Sequence, residues 1–267
     1  MIIICNGAFK SGSTWLYLIV EELLKLKKIP FNEKTNETWI SEKNKSFLFN
    51  DSNIVNAINH YQKGNEVYLS KVHLLEKNSY KFLKDRVNGR NVKVLFTSRN
   101  LGDALVSHYH HVVTQTEKKM SFNKYYKLIG RYKAYEIIKF NKNRVNYLPG
   151  TLQIKFEDLK SNFNVQVNNI ANELGLQISD ADINLIKEKT SIDNLKDKVK
   201  KGEISQYSKN SEKASKLFRK GEVGESRKFF QDKQKDDLNK IAKGEMGFFF
   251  KLYYFIFFVL RRNFYKI

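Results

Sequence analysis

One short segment constrains this chain more than any other: Gly7-Ala8-Phe9-Lys10-Ser11-Gly12-Ser13-Thr14, set between an apolar run and an amphipathic stretch. Ile2-Ile3-Ile4-Cys5 is rich in β-branched residues and is stopped by Asn6-Gly7, the pattern of a short buried strand. From Trp15 to about Lys27 apolar residues recur at helical spacing, and Pro30 stops the run. A strand, a Gly/Ser loop and a helix, in that order, let backbone N–H groups and a helix dipole hold a phosphate. Glycines at 7 and 12 have the spacing of a nucleotide-binding loop. Ser13, however, stands where an NTPase carries its lysine, and the loop's lysine is Lys10. That demotes ATP chemistry. A Gly/Ser turn without a ligand is the plain alternative.

The rest of the chain alternates strand and helix signals. Val67 to Val72, Val92 to Thr97 and Leu152 to Phe156 read as strands, the last opened by the turn Leu148-Pro149-Gly150. Asp103 to about Val113, part of Phe122 to Asn141, Val165 to Leu174 (capped by Gly175) and residues 229 to 243 read as helices. Residues 32 to 66 are polar and read as surface loops and short helices. The alternation predicts an α/β fold with a central, mainly parallel sheet flanked by helices.

Several residues fall where such a sheet binds ligands, at the carboxyl ends of its strands. Arg99 ends one strand, and Ser107 follows it along a helix. Lys71-Val72-His73 ends another and supplies an imidazole able to act as a base, with Glu76 in reserve. Arg219 and Lys220, beside Gly221, offer two cations and flexible backbone to an anion. His108, His110 and His111 invite a metal reading, but two are adjacent and none has an acidic or cysteine partner at ligand spacing, so no metal is expected.

Charge and cysteine content narrow the partners. Among 267 residues, 48 are basic and 28 acidic, a net charge of +20, which favours anionic partners. Only 9 of those 48 are arginine, and diffuse lysine singles out no particular polyanion. One cysteine allows no internal disulfide and fits a reducing compartment. No basic leader precedes the first strand, so the cytoplasm is the expected location.

Four blocks in order, FKSGSTW (residues 9–15), KVH (71–73), SRNLGDALVSHYHH (98–111) and FRKGEVG (218–224), resemble the sulfotransferases that use 3′-phosphoadenylyl sulfate (PAPS). Ile154 to Lys160 and Thr190-Ser191-Ile192 resemble two further blocks of that family. The resemblance implies a three-layer P-loop-like fold and a domain over residues 1–245. It implies that Lys10, Ser11, Gly12, Ser13 and Thr14 hold the 5′-phosphosulfate, with Trp15 on the adenine. Arg99 and Ser107 would hold the 3′-phosphate together with Arg219, Lys220 and Gly221, while Phe156, Thr190 and Ile192 line the adenine pocket. His73 would be the general base, and Lys71 would position the sulfuryl group. The donor is then PAPS, the nucleotide product adenosine 3′,5′-bisphosphate, and no metal is required. Phe156 stands where the family usually has tyrosine, Ile192 replaces an aromatic, and Phe9 and Leu101 replace prolines.

The expected acceptor is a hydroxyl of a glycan, a glycolipid or a small molecule. The alternatives are a P-loop nucleotide kinase and a basic nucleic-acid-binding protein. The latter is disfavoured because the charged run 193–216 holds a single aromatic, Tyr207, and so no interleaved series for base stacking. That run reads as a mobile lid over the nucleotide. Residues 246 to 260 are almost wholly apolar but carry Lys251 and are too short to span a bilayer. With Arg261 and Arg262 they read either as an anchor on the inner membrane surface or as a buried terminal helix.

Overall fold

The structure, a computed structural model, describes residues 1–32, 49–61, 66–87, 91–116, 120–201, 221–247, 250, 252 and 256. Strand β1 (Ile2–Gly7) is buried along its whole length because it lies at the centre of the sheet. It is followed by α1 (Ser13–Leu26), β2 (Phe31–Asn32), α2 (Ile54–Tyr61), β3 (Val67–Val72), α3 (Lys77–Lys84), β4 (Val92–Ser98) and α4 (Leu101–Thr116). Then come α5 (Phe122–Tyr125), a π-helical segment (Tyr126–Gly130), α6 (Arg131–Tyr147), β5 (Gln153–Lys155), α7 (Phe156–Ser161) and α8 (Phe163–Glu173). The remainder is α9 (Asp180–Lys189), α10 (Ile192–Lys200), a 3₁₀ turn (Glu225–Lys228) and α11 (Asp232–Lys243).

The sheet has the order β2-β3-β1-β4-β5, and every pairing is parallel. Side chains on β1 alternate between two cores, one on each face of the sheet. Ile2 and Ile4 join Ile54, Tyr80, Leu105 and Phe140 on the face covered by α2 to α6. Ile3 and Cys5 join Leu16, Val167, Ile183 and Val199 on the face covered by α1 and α8 to α10. This is a three-layer α/β fold. A central strand buried on both faces reads as a continuous apolar run, which is what Ile2 to Cys5 shows.

Two expectations need correction and two gain detail. The region 32–66 is not wholly a surface segment: α2 buries Ile54, Ala57 and Ile58 completely, and residues 33–48 and 62–65 lie outside the described residues. The strand expected to reach Phe156 stops at Lys155, and Phe156 opens α7. The helix expected within 122–141 is α6 from Arg131 onward, preceded by α5 and a π-helical segment ending at Gly130, where a Cβ would stand 3.0 Å from the Tyr126 ring. The first part of the expected lid is α10, which buries Leu195 and Val199 in the α1-side core. Two apolar residues four apart suffice to seat a helix when everything between them is charged. Residues 202–216 of that segment lie outside the described residues.

The start of the apolar tail touches the domain. Phe250 is buried, with the Arg131 guanidinium 4.6 Å above its ring. Among the described residues no helix is long and apolar enough to cross a membrane.

Candidate active site

The carboxyl ends of β1, β3 and β4 place Gly7, His73 and Arg99 on one rim of the sheet. The loop leaving β1 is folded back on itself. Ser11 donates from its hydroxyl to the Ala8 carbonyl at 2.7 Å and shares a 2.8 Å hydrogen bond with Thr97. Lys10 (φ 61°) and Gly12 (φ 98°) are left-handed, a combination that curls successive N–H groups around a concavity suited to an anion. Lysine rarely adopts this conformation without local support. At Gly7 there is no room for a side chain, since a Cβ would lie 2.6 Å from the Ser11 hydroxyl and 2.8 Å from the Ser13 Cβ. Gly7→Ala is therefore expected to open the loop and abolish detectable nucleotide binding with the fold retained. Calorimetric titration and circular dichroism check this.

His73 is oriented by the same strand. Its Nδ1 stands 2.5 Å from the Gly7 carbonyl oxygen, which can only accept, so Nδ1 donates and Nε2 carries the lone pair. Burial, then the Lys71 charge and those of Lys10 and Lys133, lower its pKa to about 4, outweighing the opposing Gly7 bond. The imidazole is thus neutral at pH 7. Lys71 is buried and donates to the Thr14 hydroxyl at 3.2 Å; desolvation and the nearby Lys10 lower its pKa to about 7. Glu76, the reserve base, is solvent-facing and pairs with Lys139 at 3.6 Å.

The residues expected on the adenine side converge. Trp15 donates from its indole to the Thr190 hydroxyl at 3.3 Å and lies 5.8 Å, edge-on, from the Phe156 ring. Phe163 also packs on Trp15, stacked at 5.9 Å. A Cβ on Gly12 would lie 2.9 Å from the Phe156 ring, and one on Gly221 would lie 2.8 Å from Ile192. The loop, Phe156, Ile192 and Gly221 are therefore in close approach. Glu22 on α1, almost fully buried, faces Lys189 at 3.2 Å and Lys198 at 3.6 Å. Those lysines flank Thr190-Ser191-Ile192, so Glu22 fastens this block to the helix that the loop opens.

Arg99 spreads over the Phe156 ring at 4.2 Å and donates to the Glu222 carbonyl at 2.7 Å. Asp103 was not anticipated from sequence. It accepts from the N–H groups of Gly224 (2.6 Å) and Ser226 (2.8 Å), tying α4 to the segment after Gly221. Burial alone would raise its carboxyl pKa, but those two bonds and Arg99 hold it below the usual range. Ser107 lies half-buried in the second turn of α4. Arg219 and Lys220 lie outside the described residues.

A second polar group sits beside His73. The Phe9 ring is 5.0 Å from His73 and 6.5 Å from His108, and Lys133 stands 4.1 Å over its face. Lys133 and Glu136 form a buried 2.6 Å ion pair, while His108 shares a 2.9 Å hydrogen bond with Tyr125. His111 lies 6.2 Å from His108; burial, then Lys10 and Lys133, lower its pKa to about 4. A Lys and a Glu three apart on a helix look like a surface pair in sequence. Only the fold shows that they are inside. Among the described residues no group of three His, Cys, Asp or Glu could hold a metal ion.

The two depressed imidazoles set an acid limit on stability. Their unfolded counterparts titrate near 6.5, so between about pH 4 and 6.5 the unfolded chain binds more protons, and stability rises with pH across that window. Acidification from pH 7 to 4.5 is expected to lower the urea midpoint, and less so in a His73→Asn/His111→Phe variant.

A model of the sulfotransferase domain matches residues 2–250. "Cytosolic sulfotransferase 14" of Arabidopsis thaliana is 27% identical over 180 residues, 62% of this chain and 51% of that protein. The chain thus aligns with about half the length of that relative. A "Flavonol sulfotransferase-like" protein of Flaveria bidentis is 24% identical over 264 residues, 92% of this chain and 81% of that one. The fold is similar to mouse sulfotransferase SULT7A1 complexed with PAP (TM-score 0.62, 17% identity, 90% of this chain and 81% of that one). It is also similar to retinol dehydratase in complex with androsterone and inactive cofactor PAP (TM-score 0.61, 15% identity, 91% and 80%).

Proposed function

The chain belongs to the sulfotransferase-domain family, and on that premise we propose that it moves the sulfuryl group of PAPS to an acceptor hydroxyl. The observation that carries this reading is the joint placement of the Lys10–Gly12 cradle and a His73 whose Nδ1 is tied to the Gly7 carbonyl. One backbone segment then fixes both the anion cradle and the base. The residues present fit the donor: a left-handed loop with Lys10 for the phosphosulfate, the Trp15–Phe156 pair for a flat base, and Arg99 for a phosphate.

In the proposed reaction the acceptor oxygen forms a bond to sulfur as the bond from sulfur to the bridging phosphate oxygen breaks. Nε2 of His73 takes the acceptor's proton, and adenosine 3′,5′-bisphosphate leaves. Charge grows on the departing oxygen, and Lys10 with the loop N–H groups would stabilise it; such transfer depends mostly on positioning and electrostatics. Burial and, after it, the nearby lysines suppress His73, and the donor's own negative charge offsets the lysines' share. The base therefore strengthens as the donor binds. Incubation of the full chain with sulfur-labelled PAPS and mixed hydroxyl acceptors in EDTA tests this. Labelled ester is expected, and transfer from ATP·Mg²⁺ instead would support the kinase reading.

The acceptor is proposed to be a glycan or glycolipid hydroxyl, supported by the +20 charge and the apolar residues after 246. The location proposed is the cytoplasm, with peripheral contact at the inner membrane face through that tail. The full chain is expected to co-sediment with phosphatidylglycerol vesicles, and a chain truncated after Phe250 is not.

A further inference from the structure

Beside the proposed base lies a wall of hydrogen-bonding side chains that donor binding does not explain. An acceptor hydroxyl must come within reach of His73 Nε2, so residues packed around that imidazole outside the phosphate loop's interior face the acceptor. The Phe9 ring packs against the imidazole, and polar groups gather about Phe9: His108, Lys133 with its partner Glu136, and His111 beside His108. Nδ1 of His111 is buried and makes no hydrogen bond. A buried polar atom without a partner is uncommon in a folded chain and calls for an explanation. Neutral at pH 7, this imidazole has a hydrogen-bonding site to offer a neutral hydroxyl. The Lys133–Glu136 pair adds a donor and an acceptor within the same wall, a combination suited to adjacent hydroxyls, which both donate and accept.

We infer that His111, with the Lys133–Glu136 pair, selects a polyhydroxylated acceptor of carbohydrate type over a flat, apolar phenol. The inference rests on the sulfuryl-transfer reading above and assigns a specificity role within it. A phenol could stack on Phe9 and present one hydroxyl to His73, but it would leave His111 Nδ1 unpaired. Sites built to hydrogen-bond a hydroxyl reject analogues lacking it far more strongly than apolar pockets reject an extra group. The three cations Lys10, Lys71 and Lys133 do not argue for an anionic acceptor, because the donor faces two of them and the third is ion-paired with Glu136.

The test uses the full chain with PAPS, a panel of p-nitrophenyl hexosides and 2-naphthol, and compares wild type with His111→Phe. At least one hexoside is expected to be sulfated with a kcat/KM well above that of 2-naphthol. His111→Phe is expected to shift that ratio toward 2-naphthol by about 100-fold or more, with the affinity for adenosine 3′,5′-bisphosphate unchanged. Lys133→Met/Glu136→Leu, which removes the pair without stranding a charge, is expected to shift it the same way. A wild-type preference for 2-naphthol overturns the inference, as does an unchanged ratio in His111→Phe. So does a protein that binds the nucleotide yet sulfates no hexoside. A protein that neither binds adenosine 3′,5′-bisphosphate nor uses PAPS overturns the underlying reading instead.

Discussion

His73→Ala is expected to lower turnover by about 10²- to 10⁴-fold and to leave the affinity for adenosine 3′,5′-bisphosphate within about twofold. The first effect follows from removing an imidazole whose tautomer is fixed by a backbone bond at the end of β1. The second follows from the residues on the donor side: Trp15 and Arg99 each pack on the Phe156 ring, whereas His73 is tied to the Gly7 carbonyl and the Phe9 ring. His73→Gln, which can still reach the Gly7 carbonyl through its amide, separates lost orientation from a lost base: loop geometry returns, turnover does not. Full activity in His73→Ala would remove the base assignment. Glu76 could not inherit it, being solvent-facing and paired with Lys139.

Lys10→Ala is expected to lose about 10²- to 10³-fold in turnover, the scale seen when one preorganised donor to a developing negative charge is removed. Donor affinity falls with it. Lys10 also holds a left-handed backbone, so charge and conformation must be separated. Lys10→Gly removes the same charge but suits φ 61°, and is expected to be more stable than Lys10→Ala by about 1 kcal/mol. Both variants should be equally inactive. If Lys10→Gly were active and Lys10→Ala inactive, the loop's shape and not its charge would carry the effect.

Much of this is legible in the sequence. Ile2 to Cys5 announces a strand buried on both faces, and the glycines and lysine that follow announce an anion loop, because backbone geometry and burial leave direct marks on sequence. Helix α9 left almost none. It buries only Ile183 and Ile186, and its charged remainder hides the period, although Ser179 and Asp182 form a capping box. Residues 152–156 pattern as a strand in the sequence, but the place of Phe156 at the start of α7 goes with tertiary contacts to Gly12 and Arg99. Asp103, Glu22, Lys133 and Glu136 all look like solvated helix charges in one dimension. Each is buried, and what makes it structural or functional is a partner distant in sequence or a layer packed on top of it.

The most direct measurement is a calorimetric comparison of adenosine 3′,5′-bisphosphate with ADP, both in EDTA, on the full chain. Arg99 beside Gly221 and Glu222 is the feature proposed to read the 3′-phosphate, which ADP lacks. Adenosine 3′,5′-bisphosphate is expected to bind without metal and, at 100 times its Kd, to stabilise the fold by about 2.7 kcal/mol. ADP is expected to bind far more weakly. Equal affinity for the two nucleotides, or binding only with Mg²⁺, would contradict the donor site described above.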